Sequence, residues 1–203
     1  MIQSKNRFLF TLIIFLAGMA WLAGCTGKSP RANFYTLGAT PASGPPAALS
    51  REIAVAVGPV TIPAELDRKQ IVTRDADNRI IVAELSRWVG PLQDTITSVL
   101  TANLAARLGT EKVAPHNRES LFPFTHQVVL NFNRFDGHPE GEVLLDVTWS
   151  LKKSGQSAPL IVQHTKIHEP VATPDYAGLA AAQSKALAEI STRIADAIKQ
   201  LDP

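Results

Sequence analysis

Two long segments of the chain carry apolar residues at the 3.6-residue spacing of an amphipathic α-helix. The first follows Gly90-Pro91 and ends before Gly109, and its apolar face comprises Leu92, Ile96, Val99, Leu100, Leu104 and Leu108. We expect Gly90 to be the N-cap, Pro91 the first helical residue and Gly109 the stop, because these residue types favour these positions. The second helix is predicted to start at Thr173-Pro174-Asp175, with a hydroxyl cap from Thr173.

The face of the first helix opposite its apolar stripe is small and almost uncharged. It is formed by Thr95, Ser98, Ala102 and Ala105. A helix face in water usually carries charged side chains. This face is therefore a candidate contact surface, and a weakly polar surface in contact with solvent is the alternative.

Alternation of apolar and polar residues predicts β-strands in much of the remaining chain. The clearest pair, 128–132 and 143–151, is separated by a turn over 136–141 and predicts an antiparallel hairpin with one buried face. A third strand is predicted over 160–168. A second hairpin is predicted from 70–74 and 79–84, on either side of the polar turn 75–78.

Two more strands are predicted near the start of the mature chain. The segment 53–62 alternates large apolar residues with alanine and glycine, which suits a strand covered on both faces. Pro59 and Pro63 limit it to a sheet edge or predict a bulge at its far end. The segment 34–37, Phe-Tyr-Thr-Leu, is expected to join the main sheet.

The order of strands, helix, strands and helix predicts an α+β fold. We expect a mostly antiparallel sheet packed against two amphipathic helices, sandwich-like and in a single domain over residues 34–203. Both helices are expected on one face of the sheet.

The N-terminus has the organisation of a bacterial lipoprotein signal. Lys5 and Arg7 precede an apolar run that ends in Leu22-Ala23-Gly24-Cys25, which resembles a lipobox. Residues 1–24 are then a removed signal peptide, Cys25 is the lipidated residue, and 25–33 form a tether. A transmembrane anchor is the alternative, although the apolar run has about the minimum length for one. Thr26 occupies the position at which aspartate would retain an enterobacterial lipoprotein in the inner membrane, so outer-membrane placement is favoured.

Charge and cysteine content narrow the possible functions. The formal net charge is +2, and loss of Lys5 and Arg7 with the signal leaves a neutral chain, which gives no support for nucleic-acid binding. Cys25 is the only cysteine, so lipidation leaves no disulfide and no thiolate metal site. No cofactor is expected.

No catalytic motif is recognisable along the chain. Walker A, G-x-S-x-G and H-E-x-x-H patterns are absent. His164 and His168 lie on one predicted strand about 13 Å apart, at about 3.3 Å per residue, which is too far for shared metal ligation. Trp88 precedes the first helix and is interpreted as a core residue, with a ligand platform as the alternative.

Three segments of the chain together resemble the ABC-type transport auxiliary lipoprotein family, typified by paraquat-inducible protein C. They are Leu66-Asp67-Arg68-Lys69-Gln70-Ile71-Val72-Thr73-Arg74, Arg87-Trp88-Val89-Gly90-Pro91-Leu92 and Val99-Leu100-Thr101-Ala102-Asn103-Leu104. The residues that carry the resemblance, and that are candidates for partner contact, are Leu66, Asp67, Arg68, Gln70, Trp88, Pro91 and Leu92. Glu65 and Lys69 depart from the family, in which an aromatic residue and a proline are expected.

The resemblance implies a non-catalytic, periplasm-facing lipoprotein of the outer membrane. It implies partnership with an MCE-domain protein, inner-membrane permeases and an ATPase that move phospholipids or other hydrophobic molecules between membranes, with this chain as the docking adaptor. Because MCE assemblies are rings and tubes, a homo-oligomer through Thr95, Ser98, Ala102 and Ala105 is also expected. A lipid-binding carrier is the main alternative, and a lipid-anchored hydrolase a weaker one.

Overall fold

A computed structural model of the chain describes residues 30–40, 53–75, 77–116 and 122–201. The predicted signal peptide, Cys25 and most of the tether therefore lie outside the described residues. One compact unit runs from Ala32 to the C-terminus, and it contains all the elements described below.

The unit contains eight strands and two α-helices among its described residues. They are β1 Asn33–Tyr35, β2 Val55–Thr61, β3 Gln70–Arg74, β4 Ile80–Trp88, α1 Leu92–Leu108, β5 Val113–Pro115, β6 His126–Gly137, β7 Glu142–Lys153, β8 Ile161–Pro170 and α2 Tyr176–Leu201. A short 3-10 helix, Ala64–Leu66, precedes β3. The predicted α+β class is confirmed.

The strands form two sheets instead of one. The larger has the order β5-β2-β6-β7-β8, and the smaller has the order β1-β4-β3. The hairpins β3–β4 and β6–β7 are antiparallel, as predicted, whereas β2 pairs in parallel with both β5 and β6. The prediction that 34–37 joins the main sheet is wrong, because β1 pairs in parallel with β4 of the smaller sheet.

Strand β2 lies inside the larger sheet, between β5 and β6. Its residues Val55, Ala56 and Val57 are at most 1% exposed, so both of its faces are covered as predicted. The pairing with β6 shifts register between Val57 and Val60, which is the bulge that Pro59 predicts. Strand β5 was missed because three residues ending in a proline are too short to show a period.

Both helices contact the larger sheet and each other. Helix α1 packs on β2 and β5, and α2 packs on β7 and β8. The predicted apolar face of α1 is buried throughout. The apolar residues at helical spacing in α2 are also buried except for Leu201, which is 40% exposed; the buried ones are Leu179, Ala186, Leu187, Ile190, Ile194, Ala197 and Ile198. The core therefore lies between the helix pair and the larger sheet, where the side chains of Leu100, Leu130, Trp149 and Leu187 are buried.

The ends of the helices differ in detail from the predictions. Pro91 is the N-cap of α1 and not its first residue, because its ψ of 128° is non-helical and its carbonyl accepts the first helical bond, from Thr95 N–H. Gly109 ends the helix in the left-handed conformation, with φ of 64°, as glycine favours. At α2 the side-chain cap is Asp175 and not Thr173, since Asp175 Oδ1 accepts a 2.6 Å bond from Gly178 N–H.

Candidate functional site

Two of the three segments that carry the family resemblance, 66–74 and 87–92, meet at one end of the smaller sheet. Trp88 N–H donates to the carbonyl of Lys69 over 2.7 Å, and Val89 N–H donates to the carbonyl of Tyr35 over 2.9 Å. Gln70 lies opposite Arg87 in the β3–β4 pairing. The loop before β3, the end of β4 and the end of β1 are thus joined by main-chain bonds.

Three of the seven resemblance residues are part of the hydrophobic core. Leu66, Trp88 and Leu92 are 3%, 4% and 2% exposed. Trp88 is therefore a core residue, and its indole is not available as a ligand platform. Trp88 and Leu92 fix the turn from β4 into α1 by burying large apolar surfaces at its start and end.

The other resemblance residues are accessible to a partner. Asp67, Arg68 and Pro91 are exposed and Gln70 is half-buried. Asp67 and Arg68 follow the 3-10 helix in a loop whose backbone is closed by a bond from Arg68 N–H to the carbonyl of Leu66. The loop offers one acidic and one basic side chain at adjacent positions.

Glu65, one of the two departures from the family pattern, belongs to an ionic cluster. Its carboxylate lies 3.4 Å from Arg74, whose Nε lies 2.8 Å from Asp136. Arg134 reaches the other oxygen of Asp136 over 2.7 Å. Asp136 is only 1% exposed, so it is a buried carboxylate held by two arginines, one from each sheet. Sequence reasoning missed Asp136 because Arg74, its partner from the other sheet, is 62 positions away in the chain.

A groove of about 420 Å³ runs along α1 beside the chain that follows β1. The face predicted as a contact surface forms one wall through Thr95, Ser98 and Ala102. Buried Leu37 and Val99 are part of the lining, and Asp94 is its one ionisable side chain. The full lining is Thr36, Leu37, Ala39, Pro91, Asp94, Thr95, Ser98, Val99 and Ala102.

Hydrogen bonds from the backbone of 38–40 to both helices hold the second wall of the groove in place. Gly38 N–H donates to Ser184 Oγ of α2 over 3.1 Å, and Thr40 N–H donates to Asn103 Oδ1 of α1 over 3.0 Å. Asn103 is fully buried although it is polar. The sequence signal for this role is the polar residue Asn103 on the apolar side of the helix, four positions after Val99.

The fourth residue of the predicted contact face does not line the groove. Ala105 is half-buried and packs against the core, whereas Ser98 and Ala102 are exposed. The hydroxyl of Thr95 donates to the carbonyl of Pro91 over 3.0 Å within the helix. The accessible residues of this face are therefore Ser98 and Ala102, together with the half-buried Thr95.

A second polar cluster lies on the face of the larger sheet that points away from the helices. Asn133, at the register shift in β6, donates to Asp146 Oδ1 over 2.8 Å, and His164 lies 2.7 Å from the same atom. Lys166 lies 3.3 Å from Oδ2. Desolvation alone would raise the pKa of Asp146, but the hydrogen bonds from Asn133, His164 and Lys166 outweigh it and lower that pKa below its ordinary value.

The two histidines of β8 have separate partners. His164 contacts Asp146, whereas His168 lies 2.7 Å from Glu142. They pair with Thr148 and Leu144, two residues on the same face of β7. Within the described ranges, no group of three histidine, cysteine or acidic side chains is placed to hold a metal ion.

Comparison with protein families gives a match over most of this unit. Residues 35–195 match the family described as ABC-type transport auxiliary lipoprotein component. The chain belongs to this family. All seven resemblance residues and the whole of the groove lie within the matched range.

Individual relatives agree with the family. The chain is 28% identical to the intermembrane transport lipoprotein PqiC of Escherichia coli K12 over 136 residues, which cover 67% of this chain and 71% of PqiC. The same figures hold for PqiC of Shigella flexneri.

Two solved structures have the same fold. The crystal structure of an uncharacterised protein matches with a TM-score of 0.68 and 21% identity, covering 83% of this chain and 99% of that one. A Xanthomonas campestris protein matches with a TM-score of 0.66 and 16% identity, covering 83% and 95% of the two chains.

Among the residues that the structure describes, neither helix combines the length and hydropathy needed to cross a bilayer.

Proposed function

We propose that this protein is a non-catalytic adaptor of an ABC-type intermembrane lipid transport system, attached to the outer membrane and facing the periplasm. The observation that carries the proposal is the family match over residues 35–195. It is supported by the relative in Escherichia coli, which is named an intermembrane transport lipoprotein.

The attachment proposed is a lipidated Cys25. Leu22-Ala23-Gly24-Cys25 supplies the recognition sequence and Thr26 the absence of an inner-membrane retention signal. More than one acyl chain on the mature N-terminus would give stable anchoring, because each buried methylene contributes about 0.8 kcal/mol. The cargo proposed is a phospholipid or another hydrophobic molecule.

The partner proposed is an MCE-domain protein, bound through the loop that carries Asp67 and Arg68. Both side chains are exposed, whereas their neighbour Leu66 is buried and anchors the loop. Gln70, the first residue of β3, and Pro91, the N-cap of α1, are the other resemblance residues that a partner can reach. An exposed pair of opposite charges suits recognition of a partner with complementary charge.

A homo-oligomer through the groove wall is the second part of the proposal. Thr95, Ser98 and Ala102 offer a small, uncharged surface against which a neighbouring copy can approach closely. A ring of copies would match the symmetry of a ring-shaped partner. Ala105 would contribute through packing under this surface and not through direct contact.

A lipid carrier is the alternative, and the geometry of the groove favours the adaptor. Six of its nine lining residues, Thr36, Ala39, Pro91, Asp94, Ser98 and Ala102, are exposed. An acyl chain is bound best in an enclosed apolar site, whereas this groove is open and includes the carboxylate of Asp94.

The test is affinity purification of the full-length lipidated protein from detergent-solubilised membranes, with mass spectrometry of the retained proteins and lipids. The adaptor predicts recovery of an MCE protein with little lipid beyond the anchor. Stoichiometric phospholipid without an MCE protein would establish the carrier and remove the adaptor.

Matched variants separate the parts of the proposal. Cys25→Ala should release the protein from membranes. Arg68→Glu should reduce recovery of the MCE protein, and Arg79→Glu, at an exposed position in the β3–β4 turn, should leave it unchanged. Ala102→Arg should lower the mass of the oligomer, whereas Ala106→Arg, exposed on the same helix but outside the groove, should not.

A further inference from the structure

Three large apolar side chains in or directly beside strands β1 and β4 are exposed. Phe34 is 63% exposed, Leu85 is 40% exposed and Val89 is 71% exposed. Phe34 belongs to β1, Leu85 to β4, and Val89 directly follows β4. Exposed apolar residues are ordinary when scattered, but these three come from adjacent parts of one sheet.

Pairing of the strands places the three residues on one face. Phe34 is the partner of Arg87 in the β1–β4 ladder, and paired residues share a face of a sheet. Leu85 and Val89 are two positions before and after Arg87, so they project to that same side. The intervening Ser86 and Trp88 are 6% and 4% exposed and point into the core.

The number of residues between Cys25 and Phe34 limits how far this face can lie from the membrane. Phe34 is nine residues after Cys25 in the sequence. Nine fully extended residues span at most about 30 Å, and any less extended tether is shorter. A domain whose N-terminal residue is held in a bilayer therefore keeps Phe34 within reach of the lipid surface.

The charges beside the apolar residues suit phospholipid headgroups. Arg87 lies between Leu85 and Val89, and its Nε–H donates to the carbonyl of Glu84 over 3.1 Å, which orients the guanidinium. Lys69, whose carbonyl is bonded to Trp88 N–H, is exposed at the adjacent end of β3. Guanidinium and ammonium groups bind phosphate oxygens, while aromatic and aliphatic side chains enter the boundary with the acyl chains.

We infer that Phe34, Leu85 and Val89 form a membrane-contact face that rests on the phospholipid surface, with Arg87 at the headgroup phosphates. The inference rests on the lipid anchor proposed above. Such contact would fix the orientation of the domain relative to the bilayer, which a lipid attached at one residue, Cys25, cannot do alone.

The experiment places a fluorescent reporter on this face of the full-length lipidated protein. Phe34→Trp is reconstituted into vesicles of phosphatidylethanolamine and phosphatidylglycerol, with or without brominated acyl chains that quench tryptophan on contact. Val162→Trp is the matched control, because Val162 is 61% exposed but lies on β8 of the larger sheet. Trp88 and Trp149 are buried and give the same background in both proteins.

We expect the brominated chains to reduce the fluorescence of Phe34→Trp and to leave that of Val162→Trp near the background. Equal quenching of the two variants, or none in either, would overturn the inference. A blue shift of Phe34→Trp emission with rising protein concentration in detergent, without quenching in vesicles, would mean that a second copy covers the face, and would also overturn it.

Flotation of the vesicles tests the anchor separately. If Cys25→Ala is the only variant that fails to float with the vesicles, the lipid anchor is supported. If Phe34→Trp then floats but is not quenched, that result counts against the contact face only. Failure of the unsubstituted protein to float would contradict both the anchor and the inference that depends on it.

Discussion

Arg74 of β3 donates from Nε to Oδ2 of Asp136 in β6 over 2.8 Å, and this bond links the smaller sheet to the larger one. The two residues are 62 positions apart in the chain. The side chain of Asp136 is 1% exposed, so its negative charge depends on Arg74 and Arg134 for compensation. The relative placement of the loop before β3 and the helix-bearing sheet rests in part on this bond.

Removing the arginine should therefore destabilise the domain. Arg74→Met leaves the buried carboxylate with Arg134 alone, and the free energy of unfolding should fall by about 1–3 kcal/mol. Arg79→Met is the control, since its pair with Asp75 is exposed to solvent and should contribute much less. Urea unfolding followed by circular dichroism measures both, and equal losses would mean that Asp136 does not need Arg74.

Truncating Trp88 should affect stability and not only partner binding. Trp88→Ala should lower the free energy of unfolding by about 3–5 kcal/mol, because it removes a buried indole from the core. Val89→Ala, at the adjacent exposed position, should change it by less than about 0.5 kcal/mol. The same urea experiment gives the comparison, and a Trp88 variant as stable as the Val89 variant would show that the indole is not a core residue.

The Asp146 cluster should make stability depend on acid pH. The pKa of the Asp146 carboxyl is lower in the folded state than in the unfolded state. The carboxylate therefore stabilises the fold fully above the unfolded pKa of about 3.9. This contribution is lost as pH falls through the lower folded value. The stabilisation that the Asp146 carboxylate gives relative to Asp146→Asn should thus shrink as the pH falls below that unfolded value.

Urea unfolding at several pH values measures that difference. The groups facing Asp146 are Asn133, His164 and Lys166, and all three are kept in the variant. Asp77→Asn, at an exposed position in the β3–β4 turn, controls for the loss of one acidic charge. A difference that grows as the pH falls below about 3.9 would show that folding does not favour the ionised Asp146 carboxylate.

Gly178 near the start of α2 should tolerate no side chain. Glycine-to-alanine changes within a helix ordinarily stabilise by about 1 kcal/mol, but a methyl group at Gly178 would overlap the carbonyl oxygen of Thr173. Gly178→Ala should therefore lower the melting temperature. Ala181→Gly, exposed in the same helix, measures the ordinary propensity difference, and a stabilised Gly178→Ala would show that the Thr173 segment moves away freely.

Sequence periodicity predicted the elements whose signals are local. The apolar stripes of α1 and α2 and the alternation in β6 and β7 reflect which side of each element faces a core, and each pattern repeats within a few residues. Gly109 predicted the end of α1 because a left-handed residue there strongly favours glycine. The same local reasoning missed the α2 cap, since Thr173 and Asp175 are both good capping residues.

The family was also recognisable from the sequence, because Asp67-Arg68, Trp88 and Pro91-Leu92 occur in a fixed order along the chain. The roles of these residues were not recognisable from the sequence. Burial assigns Trp88 and Leu92 to the core and leaves Asp67 and Arg68 accessible, and burial depends on what packs from elsewhere in the chain.

Contacts between distant residues were decided only by the tertiary structure. The assignment of β1 to the smaller sheet, the bond from Arg74 to Asp136 and the groove between α1 and residues 36–39 all join segments far apart in sequence. A strand pattern specifies which side chains are buried but not which strand lies alongside. Local periodicity therefore determined the elements and their inward faces, whereas the pairing of their edges and the surfaces left between them followed from packing of the whole chain.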